Sequence, residues 1–293
     1  MFTHRNWEDI CKEISSHKRS ITINEILNQP DGQSWIAFKH DVETNVEKAL
    51  HIAKIEQKYG IQATYYVQAD LVDENYILLQ EIASLGHEVT YHYDVLDANS
   101  GNFEKSIDDF AKNVKKFKKY GFEVQTVCPH GNPVMMRNGW SSNKDFFRNQ
   151  RAQELYPNIL DIVVQLPTKL KFRYTYISDA GYGWKEIVNI QNNDVVNEGD
   201  IIIKSHNELF KILESTQNII ISTHPHRWES NRIKCYINIY IFINAGASYF
   251  SKADQLVDMI SRINNISKLK IKENPGLSNK SLFKFMDITD IKV

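Results

Sequence analysis

The chain has 293 residues, 42% hydrophobic and 24% charged. This is close to the globular average of roughly 45–50% and ~25%, and it excludes a disordered or fibrous chain. Thirty-five Lys and Arg against 36 Asp and Glu leave a formal net charge of −1, so no overall field attracts nucleic acid or an anionic membrane, and neither is expected as a partner.

The first residues, Met1-Phe-Thr-His-Arg-Asn-Trp-Glu, meet charges before they build the apolar core of roughly 7–15 residues that a secretory signal needs. A cytoplasmic location is therefore expected. Cys11, Cys128 and Cys235 are odd in number, lack Cys-x-x-Cys spacing and fit a reducing compartment. Residues 1–33 are expected to form an N-terminal helical extension. From Trp35 onward short apolar runs alternate with longer helical patterns, the rhythm of βα units around a parallel sheet. The strand Trp35-Ile-Ala-Phe-Lys-His-Asp-Val comes first. A helix then opens at the N-cap Thr44, carries Val46, Ala49, Leu50, Ile52, Ala53 and Ile55 at helical spacing, and ends near Gly60. Next come the strand Gln62 to Val67, a helix through Ile77, Leu78 and Ile82 that stops at Gly86, and the strand His87 to Tyr93. A longer helix from Asn102 to Tyr120 places Phe103, Ile107, Phe110, Val114 and Phe117 on one face and ends at Gly121. Strands follow at Val124 to Cys128, Phe172 to Ile177, Ile201 to Lys204 and Asn218 to Thr223, with irregular, Asn- and Pro-containing sequence over 132–170. That tally of about seven strands suggests an α/β barrel of fewer than eight units over 34–228. Residues 229–293 form a C-terminal extension expected to pack on it. Within that extension, Ile233 to Ile243 alternate at period two but have Tyr236, Tyr240 and Phe242 between them, so strand and buried helix both remain open. A helix is expected over Ala253 to Ile263. The longest apolar stretch, Ile233 to Phe250, is broken by Lys234, Asn238 and Asn244 and falls short of the ~20 residues of a membrane span.

The polar residues gather at one place in this pattern. His40-Asp41 ends the first strand, His92-Tyr-Asp94 the third, Pro129-His130-Gly131 the fourth and His224-Pro-His226 the last, while Asp179 follows the fifth. In an α/β barrel the C-terminal rim of the strands carries the active site. One aspartate and two histidines suit a divalent-metal site with an open position, the arrangement of catalytic zinc, and Asp41, His92 and His130 are the candidate ligands. A metal held there acidifies water and polarises a carbonyl, so hydrolysis of an amide or ester is the natural chemistry. His224, across the mouth, is placed to protonate a leaving amine. Asp179 and Trp184, in the pliable loop Asp179-Ala-Gly-Tyr-Gly-Trp, are candidate substrate contacts, the indole suiting a sugar face. His87 begins its strand and is read as structural, Cys128 as a small buried residue, and Tyr65, Tyr66, Tyr91 and Tyr93 as barrel wall.

Phe38-Lys-His-Asp-Val-Glu, Ala63-Thr-Tyr-Tyr-Val, Gly86-His-Glu-Val-Thr-Tyr-His-Tyr-Asp, Pro129-His-Gly, Asp179 to Trp184 and Thr223-His-Pro together resemble the polysaccharide deacetylase (NodB homology) family, carbohydrate esterase family 4, over roughly residues 34 to 228. The resemblance implies a distorted (β/α)7 barrel and metal-dependent removal of an N-acetyl or O-acetyl group from a sugar. Asp41 matches the family's metal-binding aspartate, His92 the first histidine of its second motif and His224 the histidine of its last. Where the family has its catalytic-base aspartate this chain has His40, leaving His40 or the metal-activated water to serve. Where the family has its second metal histidine it has Leu96, so His130 is the substitute ligand with Asp94 in reserve. The arginine that steadies the base is Cys128 here. The expected activity is deacetylation of a small or carrier-linked carbohydrate in surface-polysaccharide metabolism, with one divalent ion, zinc by preference. The alternatives are a non-catalytic carbohydrate-binding descendant of the same fold, or another metal-dependent hydrolase. The oligomeric state is left open, a homo-oligomer included.

Overall fold

A computed structural model describes residues 2–29, 33–132, 135–170, 172–192, 194 and 199–245, with side chains followed to residue 239. Contacts divide the chain into two compact units, Met1–Cys235 and Tyr236–Val293. The first unit holds ten strands: β1 (Arg19–Ile21), β2 (Trp35–Val42), β3 (Ala63–Gln68), β4 (Glu88–Tyr93), β5 (Thr126–Pro129), β6 (Leu160–Asp161), β7 (Thr175–Ser178), β8 (Lys185–Glu186), β9 (Ile201–Ile202) and β10 (Asn218–Thr223). Their order across the sheet is β6-β5-β4-β3-β2-β10-β7-β8-β9, with β1 beside the first half of β2. From β6 to β7 all neighbours are parallel, so the expected α/β layout is present, with one exchange: β6 is a parallel strand not expected, and the strand expected at Ile201–Lys204 is the two-residue β9 outside the parallel set. β8 and β9 then run antiparallel. Among the described residues no ladder joins β6 to β9, and the sheet stays open rather than closing into a hydrogen-bonded barrel.

Helix boundaries follow local chemistry. In α1 (His4–His17) the Thr3 hydroxyl accepts from the Asn6 N–H, and in α2 (Val46–Lys58) the Asn45 side-chain Oδ1 accepts from the Lys48 N–H, so Asn45 rather than Thr44 is the cap. Gly86 and Gly121 have φ of +94° and +87°, the left-handed turn that glycine reaches without a Cβ penalty, where the chain leaves α3 (Val72–Ser84) and the helix Phe103–Lys119.

Both faces of β2 are buried, and its residues alternate between two cores. Ile36, Phe38 and Val42 join Tyr65, Tyr91, Tyr93, Val127, Ile219 and Ile221 against the helices, while Trp35 and Ala37 join Tyr66, Cys128, Tyr176 and Ile220 on the opposite side. The N-terminal segment belongs to the same packing. Trp7, Ile10 and Cys11 of α1 lie in the first core, and Ile21, Ile23 and Ile26 in the second. His87 is buried with Nε2 3.1 Å from the Ala53 carbonyl, in keeping with a structural part.

Residues Arg232–Ala245 are helical. A run apolar at both parities does not select period two, and fourteen residues exceed the usual strand length. The helix expected at 253–263 lies outside the described residues. No helix among the described residues is long and apolar enough to cross a membrane.

Candidate metal centre and active site

Because side chains alternate along a strand, Lys39 and Asp41 of β2 share one face, and Glu43, just past the strand end, continues it. The neighbouring strands bring His92 opposite Cys128 and Ser222 opposite Lys39. The result is a group of imidazoles around the Glu43 carboxylate. Glu43 Oε1 lies 3.6 Å from His92 Nε2, 3.5 Å from His130 Nε2 and 3.7 Å from His224 Nε2. Glu43 Oε2 lies 3.9 Å from His226 Nδ1. Donors about 2.0–2.2 Å from a tetrahedral zinc sit about 3.4 Å apart, which is close to these separations. One donor atom from each of Glu43, His92 and His130 lies within 4.8 Å of the other two.

The imidazole tautomers follow from their partners. His92 Nδ1 is 3.0 Å from the Cys128 carbonyl, so it carries a proton and Nε2 is the nitrogen turned to Glu43. Against burial, Asp41, the Cys128 carbonyl and Glu43 raise this imidazole well above its ordinary value, and a cation at Nε2 would take the place of that second proton. That Nε2 is buried without a hydrogen-bond partner among the described residues, an orphaned nitrogen of the kind a metal cation satisfies. Asp41, His92 and Cys128 also lie within ligand reach of one another. That trio is the weaker one, because Asp41 approaches His92 at Nδ1, 4.0 Å away, on the nitrogen already committed to Cys128. Burial also pushes the Cys128 thiol up, away from the thiolate that metal ligation needs.

Burial works against charge throughout the cluster, yet its partners prevail for the acids. His224, His92 and His130 hold Glu43 well below the usual carboxylate range. Lys39 holds Asp41 low in the same way and, with Asp41 beside it, is itself raised well above an ordinary lysine despite burial. Asp41 Oδ2 accepts from Lys39 Nζ at 2.6 Å, Lys39 also reaches Ser222 Oγ at 3.2 Å, and Asp41 Oδ1 is left without a hydrogen-bond partner among the described residues. Burial lowers His130, and it drops His226 to about 4, which favours the neutral imidazole in both.

His40 is not in this group. Next to Asp41 on a strand, it points to the helix side. There its Nδ1 is 2.6 Å from Thr223 Oγ1 and its Nε2 2.8 Å from Glu56 Oε1, with Trp7 and Tyr65 against the ring. The wall of the sheet separates it from the cluster, so it cannot act as the base there. Asp179 is fully buried. It accepts from His224 at Nδ1 (2.6 Å) and at the backbone N–H (3.0 Å), from Trp228 Nε1 at 3.2 Å and from Arg227 at 3.3 Å. Its acceptor capacity is spent on orienting His224 and none is left for substrate. Trp184 is 6% exposed and packs between Phe2 and Trp228, a core residue and not a stacking platform.

Asp41, His92, His130, His224 and His226, which the sequence sets at strand ends, thus lie in one neighbourhood, and Lys39 and Glu43 belong to it as well. Glu43 and Lys39 were within reach of the two-residue period counted from Asp41.

No family model matches the chain, and no curated protein matches it. Among solved structures it is similar to a CE4 family pseudoenzyme from Bacillus anthracis, at 11% identity and TM-score 0.42 over 74% of this chain and 62% of that one. It is also similar to a family 4 carbohydrate esterase from Streptomyces lividans, at 13% identity and TM-score 0.41 over 74% and 90% of the two chains. A third is the catalytic domain of a peptidoglycan N-acetylglucosamine deacetylase from Eubacterium rectale, at 15% identity and TM-score 0.43 over 74% and 87%. The chain thus spans less than two thirds of the length of the first of these.

Proposed function

We propose that the chain is a metal-dependent hydrolase that removes an acyl group, an N-acetyl group in the first instance, from a sugar or carrier-linked sugar. The observation that carries this reading is the set of imidazole Nε2 atoms at 3.5–3.7 Å around Glu43 Oε1, with His92 Nε2 buried and without a hydrogen-bond partner among the described residues. The carbohydrate class rests on the motif resemblance.

Glu43, His92 and His130 would hold the ion, zinc by their mixed carboxylate and imidazole character. A divalent ion there supplies Lewis acidity to an acyl carbonyl and to water. Asp41 replaces His40 as the general base. Its Oδ1 is free to take a proton from the attacking water, while Lys39 anchors Oδ2 and keeps the carboxylate ionised. As the water oxygen adds to the acyl carbon and the carbon–nitrogen bond breaks, His224 Nε2 delivers a proton to the departing amine. For this step His224 is the imidazolium: Asp179 accepts from Nδ1, turns Nε2 to the site and stabilises the cation, and the proton that Asp41 has taken from water restores His224 after turnover.

Protein purified without chelator is expected to carry one divalent ion per chain. It should release acetate from N-acetylated sugars or nucleotide sugars, stop on chelation and recover with zinc or cobalt. His224→Gln should lower kcat by roughly 10²–10⁴ while the ion stays bound. Silence across a broad panel together with measurable sugar binding would replace the enzyme by a carbohydrate-binding protein of the same fold.

A further inference from the structure

His130 is carried by the irregular segment after β5 and not by a strand, so something has to hold it against the rigid strand end that bears His92. Its backbone is pinned at both polar groups. The N–H donates to the Tyr93 carbonyl at 2.7 Å, and the carbonyl accepts from Asn143 Nδ2 at 3.0 Å. Asn143 is fully buried. Its Oδ1 accepts from the Leu96 and Asp97 N–H groups at 3.1 and 3.0 Å, and its Nδ2 donates to Asp97 Oδ2 at 2.9 Å as well as to His130. Both lone pairs and both protons of the amide are used. Asp97 in turn accepts from Arg137 through Nε and an Nη, each at 2.7 Å, and from Trp140 Nε1 at 2.9 Å, while Arg137 also reaches the Asn132 carbonyl at 2.9 Å. Arg137, Trp140 and Asn143 thus gather on one carboxylate that stands five residues beyond His92.

We propose that Asn143 is the positioning residue for His130, joining it through Asp97 to the His92 strand end so that both imidazoles meet at one cation. The inference rests on the reading of Glu43, His92 and His130 as ligands. Position 96 is leucine, so no side chain there supplies nitrogen, and the second imidazole arrives instead from a segment held by this amide together with the bond from the His130 N–H to the Tyr93 carbonyl. Outer partners of this kind typically govern metal affinity by 10- to 100-fold.

The test is zinc affinity measured by competition against a chromophoric chelator, with the visible spectrum of the cobalt-loaded protein read alongside. Asn143→Ala should weaken zinc binding by roughly 10- to 100-fold and alter the cobalt bands, while kcat at saturating metal recovers. Asn143→Asp, which keeps the acceptor for Leu96 and Asp97 but cannot donate to His130, should act in the same direction. In a His130→Ala background the Asn143→Ala change should cost under about 3-fold more, since neighbours acting through one group are not additive. Equal zinc affinity in wild type and both Asn143 variants, or an undiminished effect without His130, would overturn the positioning role with the metal site intact. Wild-type protein that takes up neither ion would remove the metal site itself, and the inference with it.

Discussion

Glu43→Gln is expected to abolish tight metal binding, whereas Asp41→Asn should keep the ion and lose turnover. The two carboxylates sit on the same face of the chain, two residues apart, and differ in what they touch. Glu43 lies among the Nε2 atoms of His92, His130 and His224. Asp41 gives one oxygen to Lys39 and meets His92 only at the nitrogen already bound to the Cys128 carbonyl. Glutamine preserves the shape of Glu43 but removes the charge a divalent ion requires, so zinc affinity should fall by more than the roughly 10- to 100-fold that losing an outer partner costs. Asparagine at position 41 keeps the bond to Lys39 but cannot take a proton, so kcat should fall by roughly 10²–10⁴. Metal titration and steady-state rates on the two variants separate the roles. Zinc lost from Asp41→Asn and retained by Glu43→Gln would return Asp41 to the ligand set.

Lys39→Met should destabilise the fold by about 3–5 kcal/mol, because it strands the Asp41 carboxylate without its cation. Lys39 is 2% exposed and lies 5.8 Å from the centre of the Tyr66 ring, so little water is at hand to compensate. Adding Asp41→Leu to Lys39→Met should recover most of the loss, since replacing a buried pair by apolar groups of similar volume is often near neutral. Urea unfolding of the chelator-treated proteins measures both. A single variant as stable as wild type would mean that Asp41 is neutral or hydrated, and would remove the argument that Lys39 keeps the base ionised.

The parallel architecture was readable because strand and helix differ in period, and β2, β3, β4 and β10 lie within one residue or so of the expected runs. The gathering of histidines at strand ends was readable too, since parallel strands deliver their last residues to one edge. The same period-two rule forbids His40 and Asp41 from facing one mouth and makes Lys39 and Glu43 companions of Asp41. The family pattern sets its acid pair at the adjacent positions 40 and 41, whereas the same-face partners of Asp41 lie two residues away on either side. Short elements escaped for want of signal, β6 and β8 being two residues each.

Other features depend on partners far away in the chain, and no local pattern encodes them. Trp184 looks like an exposed platform beside its glycines until Phe2 and Trp228 close over it. Asp179 looks free for substrate until His224, forty-five residues on, takes its oxygens. His130 stands on the rim by sequence, but its backbone is held beside the His92 strand by the Tyr93 carbonyl and by a buried amide thirteen residues on. Periodicity reports which side of an element a residue faces. Which groups meet across that side depends on packing and on long-range hydrogen bonds, whose energies appear once the sheet has assembled.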